Sequence, residues 1–306
     1  MFKNAFLYHV ARWKPPAAAR LEEQLESGRF VPCAATQAES AGWVEPRGEA
    51  HAPLVERIAG HLLLELQHEA RVLPASVLRQ QLEERLDRIE SDSGHRPKGK
   101  AARDLKDELL LELLPRAFTK RSSVRLWLAP GLELLVVGAA NAKRADLVVT
   151  RLLDATGKAL AIEPLQTALS PARAMTDWLA EREAPAGFTL DRECELRQPD
   201  GERATVRYAR HTLDIDEVGE HLRQGKRPTR LALTWNDRVS FVLTETLALK
   251  RIKLLDGTLE GAGSVAGGDA AGFDADAAIA TGELGLMLPA LLQALGGLGE
   301  GTDEPG

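Results

Sequence analysis

The chain is poor in three features whose absence narrows the choice of function. Its 306 residues include only two cysteines, Cys33 and Cys194, in no metal-ligand spacing, so we expect two reduced structural thiols in a cytoplasmic protein. Aromatic residues make up 5% of the chain, which argues against a platform for stacking unpaired bases. No uninterrupted apolar run reaches the roughly 20 residues that cross a bilayer, and the first residues lack the long apolar core of a signal peptide. The sequence therefore predicts a soluble protein with no membrane partner.

Side-chain constellations for catalysis are also missing. The seven histidines form no HExxH motif, and no Ser-His-Asp or Cys-His arrangement is indicated. Asp214, Asp216 and Glu217 stand where a helix is predicted to begin, which favours a role at the helix dipole. We expect no catalytic residue, no metal and no cofactor. The alternative is a metal-dependent nuclease that uses the Asp214 cluster or Asp274 and Asp276 as ligands.

Lysine and arginine are absent from residues 254–306, which carry nine acidic residues. The formal net charge of -6 comes from that segment, because residues 1–253 hold 39 basic and 36 acidic residues. Two windows concentrate the positive charge: residues 94–125, with a net charge of +5, and residues 203–230, with a net charge of +3. A charge run is usually a solvated face, but exposed basic clusters can also follow the phosphates of nucleic acid.

Hydrophobic periodicity predicts an α+β fold of mixed antiparallel sheets and helices. Leu78, Leu82, Leu86 and Ile89 form one apolar helical stripe, and Leu105, Leu109 and Leu113 form a second. These two helices, joined by a loop with glycine and proline, predict a protruding helical hairpin with a basic tip. The other predicted strands are 6–10, around 43–44, 61–66, 123–128, 132–137, 194–198, 205–210, 231–235, 239–244 and 247–254. The other predicted helices are 17–27, 142–153, 171–181, 215–223 and 277–295.

These elements suggest four parts along the chain. Residues 1–73 form an N-terminal α+β part of a central region, and residues 74–120 form the helical hairpin. Residues 121–256 form a second α+β part with a basic stretch. Residues 257–306 hold a glycine-rich loop over 257–272, a helix, and an acidic tail over 296–306 that we expect to be disordered.

Several ordered blocks along almost the whole chain resemble the RdgC family, the recombination-associated proteins of proteobacteria. They include the segments Met1–Asn4, Phe30–Cys33, Gly42–Val44, Val72–Pro74, Leu113–Phe118, Ala142–Ala145, Gly225–Lys226, Leu231–Trp235, Leu249–Lys253, Phe273–Asp276 and Thr281–Leu284. The resemblance implies a homodimer closed into a ring around duplex DNA, with little sequence preference and weaker binding of single strands. It also implies that the protein restrains the recombinase at replication and repair sites, is associated with the nucleoid, and has self and the recombinase as further partners.

The resemblance and the basic windows together predict the DNA-binding residues. They are Arg96, Lys98, Lys100, Arg103, Arg116, Lys120, Arg207, Arg210, His211, Lys226 and Arg230. Phe118 is predicted to be an apolar contact where two subunits close the ring, and its alternative is an ordinary core phenylalanine. A different functional class, an interaction scaffold that binds the recombinase directly, remains an alternative to the DNA-binding ring.

Overall fold

The computed structural model describes residues 1–11, 18–157, 160–199, 204–255 and 270–299, with only the backbone for residues 270 and 271. Twelve strands and seven α-helices are present in these residues. The strands are β1 Asn4–Ala11, β2 Glu39–Val44, β3 Glu56–Ile58, β4 His61–Val72, β5 Phe118–Ala129, β6 Leu134–Val137, β7 Ala161–Pro164, β8 Phe188–Arg197, β9 Thr205–Ala209, β10 Arg227–Trp235, β11 Val239–Thr244 and β12 Leu249–Leu254. The helices are α1 Ala18–Glu26, α2 Ala75–Ser93, α3 Lys100–Leu113, α4 Ala142–Thr156, α5 Pro171–Glu181, α6 Asp216–Arg223 and α7 Ala270–Ala294.

All twelve strands belong to one sheet, whose main path is β2-β4-β5-β6-β1-β12-β11-β10-β8-β9. Every pairing between these strands is antiparallel. The α+β prediction is confirmed. β1 links the two halves of the sheet, since it pairs with β6 on one side and with β12 on the other. The predicted boundary between residues 120 and 121 falls inside β5.

Most of the first half of the sheet, β1 to β6, is buried on both faces, but the first six residues of β5, Phe118–Ser123, are exposed. Successive residues of its strands enter different cores: Leu63 and Trp127 belong to one hydrophobic cluster, and Leu64 and Leu126 to the other. This follows from the two-residue period of a strand, which sends neighbouring side chains to opposite faces. Helices α1 and α4 supply the cluster of Leu64, whereas α5, α6 and α7 supply the cluster of Leu63.

The second half, β8 to β12, is covered by helices on one face only. Leu231, Leu233 and Leu243 are fully buried in the core with α5, α6 and α7. The opposite face, which we call the open face, carries alternate residues such as Arg230 and Ser240, and no described helix packs on it. A sheet with one core face and one solvated face is typical of antiparallel structure.

Helices α2 and α3 lie between β4 and β5 and contact each other. One residue of each helix, Leu86 and Leu109, is buried, and an ion pair joins Arg85 to Glu112 at 2.8 Å. Gly94, with a φ of 73°, ends α2 in the left-handed conformation that glycine adopts readily. The 19 residues of α2 rise about 28 Å at 1.5 Å per residue. The loop between the helices is therefore well separated from the strand ends.

Helix α7 corrects three expectations about the end of the chain. It begins at Ala270, earlier than the predicted Ala277, and the rest of the predicted loop over 257–272 lies outside the described residues. Residues 296–299, expected to be disordered, continue from α7 into a bridge between Thr167 and Leu298. Residues 272–294 are also long and apolar enough to cross a bilayer by length and composition, which a search for uninterrupted apolar runs missed. Here Leu284, Met287, Leu288 and Leu291 are buried in the core, because this helix packs against the sheet.

Candidate nucleic-acid interface

Two predicted DNA-binding residues lie in one row on the open face. Arg207 of β9 is directly opposite Glu195 of β8, which in turn is opposite Arg230 of β10. Directly paired residues project from the same face of a sheet, so Arg207 and Arg230 share the open face. Both side chains are exposed, and they are therefore available to a ligand that lies across the strands.

Lys250 of β12 also lies on the open face, in the neighbouring row that runs through Val242 and Ala232. Lys250 is opposite Val242 on one side and Asn4 on the other, and its ammonium donates to the carbonyl oxygen of Ala140 at 3.0 Å. Burial and the nearby charge of Arg230 both lower the pKa of Lys250.

A shallow cleft of about 250 Å³ lies on the same face and is lined by four basic side chains. They are Arg192, Arg210, Arg251 and Lys253, together with Asp191, Glu193, Ala232, Ser240, Phe241 and Val242. We call it the arginine cleft. Glu193 holds two arginines at its edge, Arg207 at 3.0 Å and Arg251 at 2.8 Å. Burial raises the pKa of Glu193, but hydrogen bonds from Arg251 and Arg207 outweigh it and leave the pKa below its usual value.

A larger groove of about 590 Å³ lies where the open face meets β5 and the start of α4. Its basic lining residues are Lys3, Lys120, Arg125 and Arg144. We call it the junction groove. Asn141 caps α4 by accepting a hydrogen bond from the backbone N–H of Arg144 at 3.0 Å, which fixes the beginning of this helix at the groove. Arg125 is paired with Glu65 at 2.8 Å, so Lys3, Lys120 and Arg144 supply the charge without an ion pair among the described residues.

The cleft and the groove lie on one continuous surface. Asn4 lines the junction groove and is the β1 partner of Lys250, and Lys120 is in β5 at the far end. We call the surface from Lys120 through Lys250 to Arg207 the basic track. It crosses eight neighbouring strands, from β5 to β9. At about 4.8 Å per strand its contour length is about 34 Å.

The predicted residues of the α2–α3 loop lie apart from the basic track. Arg96 is surrounded by the carboxylates of α2: its guanidinium pairs with Glu83, Asp87 and Glu90. The hydrogen bonds that Arg96 donates to Asp87 and Glu90 raise its pKa. Lys98, Lys100 and Arg103 are exposed, and no ion pair within the described part of the chain involves them. Residues 75–113 contain eight basic and nine acidic residues, so the helix pair as a whole is not basic.

Three further predicted residues line neither the arginine cleft nor the junction groove. His211 is exposed, and its Nδ1 lies 2.8 Å from the carbonyl oxygen of Thr212. Lys226 is half-buried and directs its ammonium to His221 Nδ1 at 3.2 Å and to Gln224 Oε1 at 3.0 Å. Arg116 is exposed in a short 3-10 turn that leads into β5.

Phe118 begins β5 opposite Val72 of β4. Its side chain is 88% exposed, and the exposed Val72 lies beside it. The alternative of an ordinary core phenylalanine is therefore wrong for this chain. Phe118 and Val72 together form a small exposed apolar patch, and the part of Phe118 in a subunit contact stays a prediction.

The carboxylates of the nuclease alternative are engaged with arginines. Asp214 and Asp216 both pair with Arg182, at 2.9 Å and 2.5 Å, and Asp274 pairs with Arg47 at 2.6 Å. Within the described ranges, no group of three or more His, Cys, Asp or Glu side chains converges in a way that could hold a metal ion.

Seven basic residues of this surface were not among the predicted ligands: Lys3, Arg125, Arg144, Arg192, Lys250, Arg251 and Lys253. Arg125 lies inside the first basic window, and Arg192 lies outside both windows. The other five belong to blocks of the sequence that carry the family resemblance, which is the signal that could have found them. They were missed because charge counting in windows favours residues that are close along the chain. β12 and the segment before β1 become neighbours only through long-range strand pairing.

Comparison with known proteins gives matches over almost the whole chain. A family model described as "Putative exonuclease, RdgC" matches residues 1–298. The "Recombination-associated protein RdgC" of Cupriavidus pinatubonensis (strain JMP 134 / LMG 1197) is 42% identical over 296 residues, which is 97% of this chain and 98% of the relative. The protein of the same description from Dechloromonas aromatica (strain RCB) is 42% identical over 299 residues, 97% of each chain. That of Herminiimonas arsenicoxydans is 40% identical over 296 residues, 97% of this chain and 98% of the relative.

The matched relatives are all described as recombination-associated proteins. The chain belongs to the RdgC family, as the blocks of the sequence predicted.

Proposed function

We propose that this protein binds duplex DNA through the phosphate backbone, with little sequence preference, and that the basic track is the surface that does so. The single observation that supports this most is that basic side chains from Lys120 through Lys250 to Arg207 share one face of the sheet. Lysine and arginine contacts with phosphates supply affinity without reading bases. The contour of about 34 Å is close to one helical turn of duplex DNA.

The proposal extends to the form in which the protein acts. A homodimer would place two basic tracks around one duplex, and the exposed Phe118 would lie in a contact that closes the ring. A protein that occupies duplex DNA in this way would restrain the recombinase by denying it substrate, in the nucleoid. A scaffold that contacts the recombinase directly is the second candidate, and recombinase binding measured without DNA separates it from the first.

Gel shifts with two unrelated duplexes, at about 50 and 200 mM salt, test the DNA-binding proposal. We expect both duplexes to bind equally and both affinities to fall steeply with salt. Binding that is insensitive to salt, or strongly selective for one sequence, would contradict it. Retention on covalently closed circles at high salt, with loss after linearisation, tests the ring.

The family description names an exonuclease, so the same preparation is incubated with linear DNA and magnesium or manganese. We expect no cleavage, because Asp274 and the Asp214 cluster are paired with arginines. Cleavage that disappears in Asp274→Ala would establish the nuclease instead.

A further inference from the structure

Two arginines that line the arginine cleft have unusual backbone conformations, and the side chain of one of them extends unusually far across the sheet. Arg210 and Arg251 both line it, and both have a positive φ, 58° and 52°. This left-handed region is unfavourable for residues with a side chain, and such strained residues concentrate at functional sites. Two strained arginines at one cleft are therefore a signal of a site rather than of ordinary surface charge.

Arg251 reaches across the open face to its partner. It belongs to β12 and Glu193 to β8, with β11 and β10 between them, a separation of about 14 Å at the usual strand spacing. The guanidinium nevertheless lies 2.8 Å from the Glu193 carboxylate. A register shift in the β11–β12 pairing between Ser240 and Val242 accompanies the conformation of Arg251. Small side chains, Ala232 and Ser240, line the cleft that the arm of Arg251 crosses.

Glu193 forms ion pairs with both Arg207 and Arg251 at the edge of the cleft. One carboxylate fixes Arg207 from β9 and Arg251 from β12, which orders two long side chains before any ligand arrives. Ordering in advance lowers the entropy that binding would otherwise cost. The four basic residues that line the cleft outnumber its two acidic ones, Asp191 and Glu193, so an anion is favoured there. A planar guanidinium with fork-like donors suits a phosphate group.

We propose that the arginine cleft is a pre-organised binding site for a single phosphodiester of the DNA backbone. Arg210 and Arg251 would contact the phosphate, and Glu193 would be the positioning residue. The inference rests on the proposed function and deepens it. It distinguishes one built phosphate site from the diffuse charge of the remaining track.

The test compares Arg210→Gly and Arg251→Gly with Arg173→Ala. Glycine tolerates the positive φ, so both cleft variants should remain folded. Arg251→Gly also loses the ion pair with Glu193, so its thermal midpoint should be slightly lower than that of the wild type. Arg173 is the matched control, because it is an exposed arginine of α5 paired with Asp177 at 2.9 Å, away from the open face. Duplexes of about three helical turns (about 30 base pairs) are used, once with 5′-hydroxyl and once with 5′-phosphate ends.

Each glycine variant should lose about tenfold in duplex affinity, the effect of one hydrogen bond to a charged group. The slope of log affinity against log salt should fall in magnitude by about 0.9, the contribution of one phosphate contact. Arg173→Ala should change neither quantity. Both kinds of duplex end should give the same result.

Each contrary result has its own meaning. If the wild type binds duplex with the expected salt dependence but both glycine variants bind equally well, the cleft holds no backbone phosphate and the proposed function survives. A loss confined to 5′-phosphorylated duplex would assign the cleft to a terminal phosphate and overturn the backbone assignment. A third result would also overturn the backbone assignment. In that case inorganic phosphate raises the thermal midpoint of the wild type but not of Arg251→Gly, and the substitution leaves duplex affinity unchanged. A wild type that fails to bind duplex would refute the proposed function itself.

Discussion

Arg251 and Glu193 are joined at 2.8 Å across the open face, although two strands of the sheet separate them. The contact ties the central strand β12 to the outer strand β8, and Arg207 of the edge strand β9 joins it at 3.0 Å. The carboxylate therefore stabilises the outer part of the sheet and also places two cations on the surface proposed to bind DNA.

The acid stability of the protein should depend on Glu193. Its pKa is lowered from the ordinary value of 4.5, so its ion pairs contribute stability above that pH, and the contribution is lost as pH falls through the lowered value. We expect the wild type to lose stability more steeply than Glu193→Gln as the pH falls below about 4.5. Denaturant unfolding at a series of pH values measures the difference. Parallel pH profiles for the two proteins would contradict it.

Arg96 should matter less for DNA binding than its neighbours in the α2–α3 loop. Three carboxylates of α2 already engage its guanidinium, whereas Lys98 and Lys100 are exposed and have no such pairs in the described part of the chain. Replacing Arg96 by alanine should leave the salt slope of duplex binding unchanged, and replacing Lys98 should reduce its magnitude by about 0.9 if the loop touches DNA. An equal or larger effect at Arg96 would show that it leaves its acidic partners when DNA binds.

Phe118 should contribute to association and not to the stability of the folded chain. Because its side chain is 88% exposed, Phe118→Ala should change the free energy of unfolding by less than about 0.5 kcal/mol in dilute solution. Sedimentation should show weaker self-association of this variant. Phe241, which is 2% exposed, is the matched control, and its replacement by alanine should cost about 3–5 kcal/mol of stability. A Phe118→Ala variant that associates like the wild type would remove this residue from the interface.

Gly42 should not tolerate a larger residue, because there is no space for a Cβ atom at this position. A Cβ atom at this position would lie 2.5 Å from the Cα atom of Phe30 and 2.6 Å from its backbone nitrogen, so the backbone itself would have to move. Gly42→Ala should lower the free energy of unfolding by about 1–3 kcal/mol or more. Gly131→Ala, where nothing lies within 4 Å, should change it by less than about 0.5 kcal/mol. Equal thermal midpoints for the two variants would contradict the close approach of these segments.

Much of the secondary structure could be predicted because it is encoded locally. The apolar stripe of Leu78, Leu82 and Leu86 defined α2, and proline and glycine marked its ends at Pro74 and Gly94. β3 and β7 have only three and four residues, too few for an alternating pattern to be recognised. β6 is equally short, but the proline and glycine of the turn before it marked its position. The start of α7 was placed late because Asp274 and Asp276 interrupt its apolar character.

The arrangement of the candidate site was less accessible to sequence reasoning. The window over residues 94–125 combined Arg96 with Lys120, but α2 and α3 separate these residues in space. Its charge count also left out the acidic residues of α2 that bind Arg96, since they precede the window. Arg251 and Lys253 lie in a strand whose neighbours are determined by pairing with β1 and β11, and no spacing within the chain indicates that pairing.

The central claim, that the basic track binds duplex DNA, is tested most directly by two triple variants with the same change of net charge. One replaces Lys120, Arg207 and Arg230 by glutamate, and the other replaces Arg20, Arg151 and Arg173, exposed arginines of α1, α4 and α5. Duplex affinity of both is measured over about 50 to 200 mM salt. We predict that the track variant loses binding and most of its salt dependence, while the control variant stays close to the wild type. Equal losses in the two variants would show that overall charge, and not the basic track, governs binding.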